Sequence, residues 1–476
     1  MSLENQIREA PSSVNQSSAN GEIGLRSLEG LHGTVPLPPA NSSFWRQLRA
    51  FAGPAFLVSV GYMDPGNWGT DLEAGAQFRY GLLWVVASAS IMAIIMQIIS
   101  ARLGLVTGKD LAQACRDYYP KWTRLPNWLL CEIAIVACDL AEVLGSAVAL
   151  NLLFHIPLLW AVIITAFDVL LLLTLQGMGM RLIEAIILVL VATIGACYFI
   201  EIFVLPHTSP DFLEMGSALL SPGFREDGMI PLAIAIIGAT VMPHNLYLHS
   251  ALVQTRKPNG EKERIGRAIR FNTIDTVIAL SVAFLINSAI LVLAAQVFHG
   301  QTSVTLRDGS VVSLTADSDP DWIRVAYLTL TPLLGVAAAS ILFGVALLAS
   351  GQSSTITGTL AGQVVMEGFM QWRIRPWVRR LITRSLAIIP AILIIGLRGN
   401  GSITELLVLS QVVLAMQLPF AMFPLLHFTC SRKRMGRHVN GWFLTVAGWL
   451  SCLLITALAV YGLPETIKKV WAVIAR

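Results

Sequence analysis

The sequence predicts an all-α polytopic membrane protein of about eleven transmembrane helices, in two inverted halves of five plus one extra span, with the first and sixth helices broken. Three observations predict it. The chain is 55% hydrophobic and 13% charged with a mean hydropathy of +0.67, far outside the soluble range. Lys and Arg crowd every second connection. Two apolar segments, five apart, each break at a proline.

Taken in order, residues 1–44 are rich in Ser, Asn, Gly and Pro without an apolar signal core, and read as a disordered cytoplasmic tail. Residues 45–465 read as one membrane domain. Its first half, about 45–205, holds apolar runs near 47–80, 81–103, 126–153, 156–175 and 181–205. The second half, about 229–428, holds runs near 229–254, 272–298, 330–351, 381–398 and 403–428. An extra span covers about 440–463, and 466–476 form a carboxyl tail. Because five is odd, the second half enters the membrane from the opposite side, which makes the repeat inverted.

Basic residues gather at Arg102–Arg124, Arg256–Arg270, Arg373–Arg384 and Arg432–Arg437, while the intervening loops are neutral or acidic, as in Asp211–Glu214, Glu226–Asp227 and Asp317–Asp321. Strict alternation favours topology over a nucleic-acid or lipid-binding patch, and no nucleic-acid partner is expected. The amino terminus is then cytoplasmic in a multi-pass plasma-membrane protein, and an odd span count puts the carboxyl terminus outside, against the mild counter-signal of Lys468 and Lys469. Of six cysteines, Cys131, Cys138, Cys197 and Cys452 lie inside apolar runs with no C-x-x-C pair, so they read as buried reduced thiols acting as small hydrophobes.

The two breaks read Gly61-Tyr-Met-Asp-Pro-Gly-Asn67 and Ala239-Thr-Val-Met-Pro-His-Asn245. Proline removes a donor and clashes with the preceding turn, so each helix unwinds and leaves carbonyls free. Broken backbone survives in hydrocarbon only where protein buries it or a cavity faces it. A carboxylate at mid-membrane costs about 2.5–3.5 kcal/mol on insertion scales, so Asp64 needs a partner. Asn67 lies three residues on, Met242 offers a soft sulfur from the opposite break, and the carbonyls of Gly61 and Ala239 can add neutral oxygens. That donor set suits a divalent first-row metal and disfavours calcium and magnesium, which prefer all-oxygen shells. Taken singly, D-P-G-N is a common turn and a membrane Met is ordinary packing; their pairing at two breaks favours a site.

The segments Gly61-Tyr-Met-Asp-Pro-Gly-Asn-Trp68 and Met242-Pro-His-Asn-Leu-Tyr-Leu-His-Ser250 resemble the hallmark motifs of the Nramp divalent-metal transporters. So does Gly351-Gln-Ser-Ser-Thr-Ile-Thr-Gly-Thr-Leu-Ala-Gly-Gln-Val-Val-Met-Glu-Gly368, which is similar to the family's long signature after the eighth span. The resemblance runs from Phe44 to about Cys430. It implies a LeuT-like fold, no enzymatic activity, no resident cofactor, and inward transport of Mn²⁺ or Fe²⁺ with protons, often with Co²⁺ and Cd²⁺ accepted. It implies metal ligation by Asp64, Asn67 and Met242, by the Gly61 and Ala239 carbonyls, and by Gln411 in some conformations. Many members carry alanine where this chain has Gly61. Members that carry magnesium or aluminium lack the methionine matching Met242.

Glu132, Asp139 and Glu142 are spaced by seven and three, on one face of the third span. Three such acids are either a proton relay or one half of a salt-bridge network. The resemblance implies a relay from Asp64 toward cations of the ninth span, among Arg379, Arg380 and Arg384, and gives His244 a part in proton linkage. A proton and a metal ion compete for the Asp64 oxygens, which supplies the coupling logic. Asn287 matches a polar position near the family's outer path. His249 reads as structural, and Asp168 as a satisfied bundle contact.

The alternatives are a metal uniporter without obligatory proton coupling, and a non-transporting Nramp-like signalling module, which would carry a long soluble tail. A membrane protease lacks support: H-E-x-x-H, G-x-G-D pairs and G-x-S-x-G in a span are all missing. A site complete within one chain implies a monomeric transport unit.

Overall fold

The computed structural model describes residues 27–28, 35–39, 41–167, 180–204, 210–256, 262–305, 311–313, 321–334, 338–398 and 403–475. Their helices, in chain order, are α1 (Phe44–Phe51), α2 (Pro54–Ser59), α3 (Pro65–Phe78), α4 (Leu83–Thr107), α5 (Leu111–Tyr118), α6 (Arg124–Phe154), α7 (Leu158–Thr165) and α8 (Met180–Phe203). There follow α9 (Phe212–Leu220), α10 (Met229–Val241), α11 (Pro243–Leu252), α12 (Lys262–Val297), α13 (Trp322–Leu334), α14 (Ala338–Met370), α15 (Pro376–Arg398), α16 (Ile403–Thr429), α17 (Arg432–Met435) and α18 (Trp442–Ala475).

Among the described residues, eight helices are long and apolar enough to cross a membrane. The other three of the eleven expected segments fall short for visible reasons. The first is divided, with Pro54–Met63 a shorter apolar helix. The fourth is described as far as Phe167, so Asp168 lies outside the described residues. The ninth lies within α15, which carries Arg379 and Arg380 just before its apolar run and Arg384 inside it. Large apolar side chains remain exposed along many helices; on α18, Leu450, Leu453, Val460 and Tyr461 are each 63–65% exposed. Patches of that extent suit contact with lipid.

The interior is organised around the divided segments. The second part of the first, α3, packs on α12 and α16, and α10 packs on α16 and α4. The long α6 is clamped between α14, α15 and α16. Gly362 of α14 shows why the signature glycines matter: a side chain there would occupy the space of the Arg379 guanidinium.

Three details differ from the sequence expectation. Within residues 1–44, which the composition reads as a disordered tail, the described Leu28 and Val35 are 5% and 3% exposed. Leu28 N–H donates to Glu367 Oε2 (2.8 Å) and Val35 N–H to the Thr255 carbonyl (3.1 Å), so two backbone donors of this polar stretch are paired within the protein. Strands β1 (Ser303–Thr305) and β2 (Val311–Ser313) pair antiparallel, a small departure from all-α. The last helix continues through the predicted tail to Ala475, with Pro464 inside it.

Candidate metal site

Each break is built differently. A 3₁₀ turn, Val60–Met63, closes α2, and Asp64 follows in extended conformation (φ −67°, ψ 165°) as the N-cap of α3, with Pro65 at the first helical position. In the second, Met242 (φ 24°, ψ 107°) separates α10 from α11, and Pro243 opens the latter. No side chain caps α11.

The breaks meet. Asp64 is fully buried; its Oδ1 accepts from Asn67 N–H (2.9 Å) and Asn67 Nδ2 (2.8 Å). Asn67 Nδ2 also donates to the Ala239 carbonyl (3.2 Å), joining the first break to the end of α10. Gly61 abuts Met242: a Cβ on it would lie 3.3 Å from Met242 Sδ. The Gly61 carbonyl accepts a long bond from Asp64 N–H (3.4 Å), and Met242 Sδ accepts from Asn245 Nδ2 (3.5 Å). Carboxylate, amide, thioether and two carbonyls from two unwound turns thus share one buried locus.

Gln411 lies against Gly66 at the start of α3, donating to Ser410 Oγ (3.0 Å). Its buried Oε1 has no hydrogen-bond partner among the described residues, which leaves an acceptor beside the site. Asn287 is placed more directly: Nδ2 donates to the Tyr62 carbonyl (2.8 Å) and to Asn67 Oδ1 (3.2 Å), orienting the amide. His249 joins a second buried chain, Nδ1 to Gln97 Oε1 (2.9 Å), with Gln97 Nε2 donating to Tyr62 Oη (2.6 Å). Neither Tyr62 nor Gln97 was singled out from sequence. His244 is buried with Nδ1 unpartnered among the described residues. Among those residues no three His, Cys, Asp or Glu side chains form a ready-made cluster, so the locus depends on its neutral donors.

The acids of α6 meet the arginines of α15 in register. Arg379 Nη2 lies 2.9 Å from both Glu132 oxygens. Arg380 pairs with Asp139 and also reaches Glu142 Oε2 (3.1 Å); Arg384 approaches the same oxygen (3.5 Å). Thr355 Oγ1 of α14 donates to it as well (3.2 Å). Spacings of seven and three on α6 face spacings of one and four on α15, and this register divides the pairs.

The amino-terminal end of the divided helix is tied down. Gly53 (φ 129°) leaves no room for a side chain beside the Glu184 carboxylate, and its N–H, with that of Ala55, points at Asp275 Oδ2 (3.2 and 3.0 Å). Arg256 bonds Glu184 (2.7 Å) and the Ala52 carbonyl, and Arg181 bonds the Ala50 carbonyl (2.7 Å).

Comparison with known proteins agrees with this architecture. A family described as Nramp, natural resistance-associated macrophage protein-like, matches residues 55–465. The divalent metal cation transporter MntH of a Nostoc species is 51% identical over 446 residues, 93% of this chain and 96% of that protein. The crystal structure of a manganese transporter from Eremococcus coleocola superposes with a TM-score of 0.82 at 38% identity, covering 93% of this chain and 91% of that one. Mhp1, a nucleobase-cation-symport transporter, shares the fold alone, with a TM-score of 0.55 at 14% identity. The chain is therefore a multi-pass membrane protein with a LeuT-like fold, and it belongs to the Nramp family of transporters rather than to any enzyme class.

Proposed function

We propose that this chain moves divalent transition-metal cations, Mn²⁺ or Fe²⁺ with Co²⁺ and Cd²⁺ also accepted, inward across the plasma membrane together with protons. It does so as a monomeric unit in the lipid bilayer, without a resident cofactor, with the amino terminus cytoplasmic and the carboxyl terminus outside. One observation carries the reading: the two breaks meet, with Asn67 Nδ2 bridging Asp64 to the Ala239 carbonyl of the other broken helix while Gly61 abuts Met242. MntH relatives named as divalent metal cation transporters support it.

An ion arriving at Asp64 competes with a proton for the same oxygens, so loading expels one. The acids of α6 lie beyond, each already facing an arginine, and can pass charge by exchanging partners. A potential negative inside favours entry of a divalent cation by about 4.6 kcal/mol per 100 mV. Release toward the amino-terminal side requires the Asp275, Glu184 and Arg256 bonds around Ala50–Ala55 to open. The complete ion pairing of the α6 acids equally suits a structural role, which is the uniporter reading.

The test is Mn²⁺ uptake into proteoliposomes with and without an inward proton gradient. Uptake rising with the gradient in wild type, and losing that dependence in Asp139→Asn, supports coupling. Uptake blind to the gradient installs the uniporter. No metal uptake at all overturns transport and reopens the signalling module.

A further inference from the structure

Cys138 of α6 has no part in the mechanism above, yet its thiol stands where the site and the acid network meet. Sγ lies 3.9 Å from Asp64 Oδ2, 3.8 Å from Glu142 Oε1 and 3.9 Å from His244 Nε2. The side chain packs in a separate small cluster with Ala134, Leu414 and Met242 itself. Asn67 occupies Asp64 Oδ1, so Oδ2, the oxygen that faces the thiol, is the one left for an incoming ion. A cation held at roughly 2.1 Å from a carboxylate oxygen and 2.3 Å from a thiolate sulfur spans about 3.6–3.9 Å between them at bond angles of about 109–125°. The observed separation falls at the wide end of that range.

We propose that Cys138 is a specificity-determining donor: with Met242 it gives the site a second sulfur, which holds thiophilic cations such as Cd²⁺ and Co²⁺ more tightly than Mn²⁺. This rests on the reading that Asp64 and its neighbours bind the transported ion. Thiolates select softer ions, whereas Mn²⁺ stands lowest in the first-row affinity order and favours oxygen. On coordination the Sγ–metal bond forms, the Sγ–H bond breaks, and the proton passes to the Glu142 carboxylate, whose Oε1 lies 3.8 Å from Sγ.

The experiment uses the full chain in detergent with Co²⁺ as the spectroscopic probe and Mn²⁺ and Cd²⁺ as competitors, read by absorbance and calorimetry. Wild type should show a near-ultraviolet thiolate-to-cobalt charge-transfer band that bleaches when excess Mn²⁺ displaces the ion. Cys138→Ser and Cys138→Ala should lose the band while Co²⁺ still binds. Their preference for Cd²⁺ over Mn²⁺ should fall by at least roughly tenfold, the low end of what losing even a supporting partner costs a metal site. Asp64-dependent Co²⁺ binding in wild type without the band, or a band that survives in both variants, overturns the inference and leaves the transport reading standing. Co²⁺ binding that ignores Asp64→Asn, or no binding, overturns the transport reading first. If neither variant folds, the wild-type band and its bleaching by Mn²⁺ still decide.

Discussion

The two helix breaks carry equivalent positions in the inverted halves, but they are held by opposite means. At the first, Asp64 keeps an ordinary extended backbone, and its own carboxylate caps the following helix through Asn67. At the second, Met242 adopts φ 24°, which is costly for a side-chain-bearing residue, and a thioether cannot cap α11. Packing against Ala134, Cys138 and Leu414 holds it instead. The first break therefore contributes charge with little backbone strain, and the second contributes softness at a cost of about 1–3 kcal/mol in backbone conformation.

The largest test of that division is the pair Asp64→Ala and Met242→Ala, compared by Mn²⁺ uptake and by competition with Ca²⁺. Asp64→Ala removes the charge that offsets dehydration of the ion, and uptake should fall to background. Met242→Ala removes a neutral donor, so part of the Mn²⁺ uptake should remain while Ca²⁺ becomes an effective competitor. If the two variants fail alike, charge and softness are not divided between the breaks.

A smaller effect isolates the backbone. Met242→Gly and Met242→Ala remove the same contacts, but glycine accepts φ 24° freely. Relief of about 1–3 kcal/mol is partly offset by the unfolded-state entropy of glycine, about 0.4–1 kcal/mol. The glycine variant should melt at a higher temperature than the alanine variant in detergent, by roughly 1 kcal/mol of stability. Equal melting would mean that the second break is not strained.

The breaks were legible because Pro65 and Pro243 cannot continue a helix, and a local rule read from one strand of sequence suffices to find them. The acids of α6 were legible as a face for the same reason. Which arginine meets which acid was not, because that depends on the register between α6 and α15, set by α14 pressing in over Gly362. Asn287 and Gln97 act across 220 and 152 residues of sequence separation, beyond any periodicity argument. Cys138 did leave a signal: it lies four residues before Glu142 and so on the same helical face, but a thiol in an apolar run reads as packing. The packed Leu28 and Val35 escaped because a composition rule averages over a tail and cannot see one bond to the Glu367 carboxylate and one to the Thr255 carbonyl.

The smallest predicted effect lies where the two breaks touch. A methyl group added by Gly61→Ala would meet Asn245 Nδ2 and sit 3.3 Å from Met242 Sδ. The amide is the movable end of a side chain, so it can swing away at about 1 kcal/mol, the low end of overpacking costs. Swinging breaks its 3.5 Å contact with the Met242 sulfur and leaves that lone pair free for an ion. Mn²⁺ affinity, measured by calorimetry, should therefore hold or rise slightly in Gly61→Ala, by less than about threefold, since a freed thioether is worth well under 1.4 kcal/mol to a hard ion. A fall of tenfold or more would mean that the glycine serves the Gly61 carbonyl instead, and that the first break, like the second, is conformationally special.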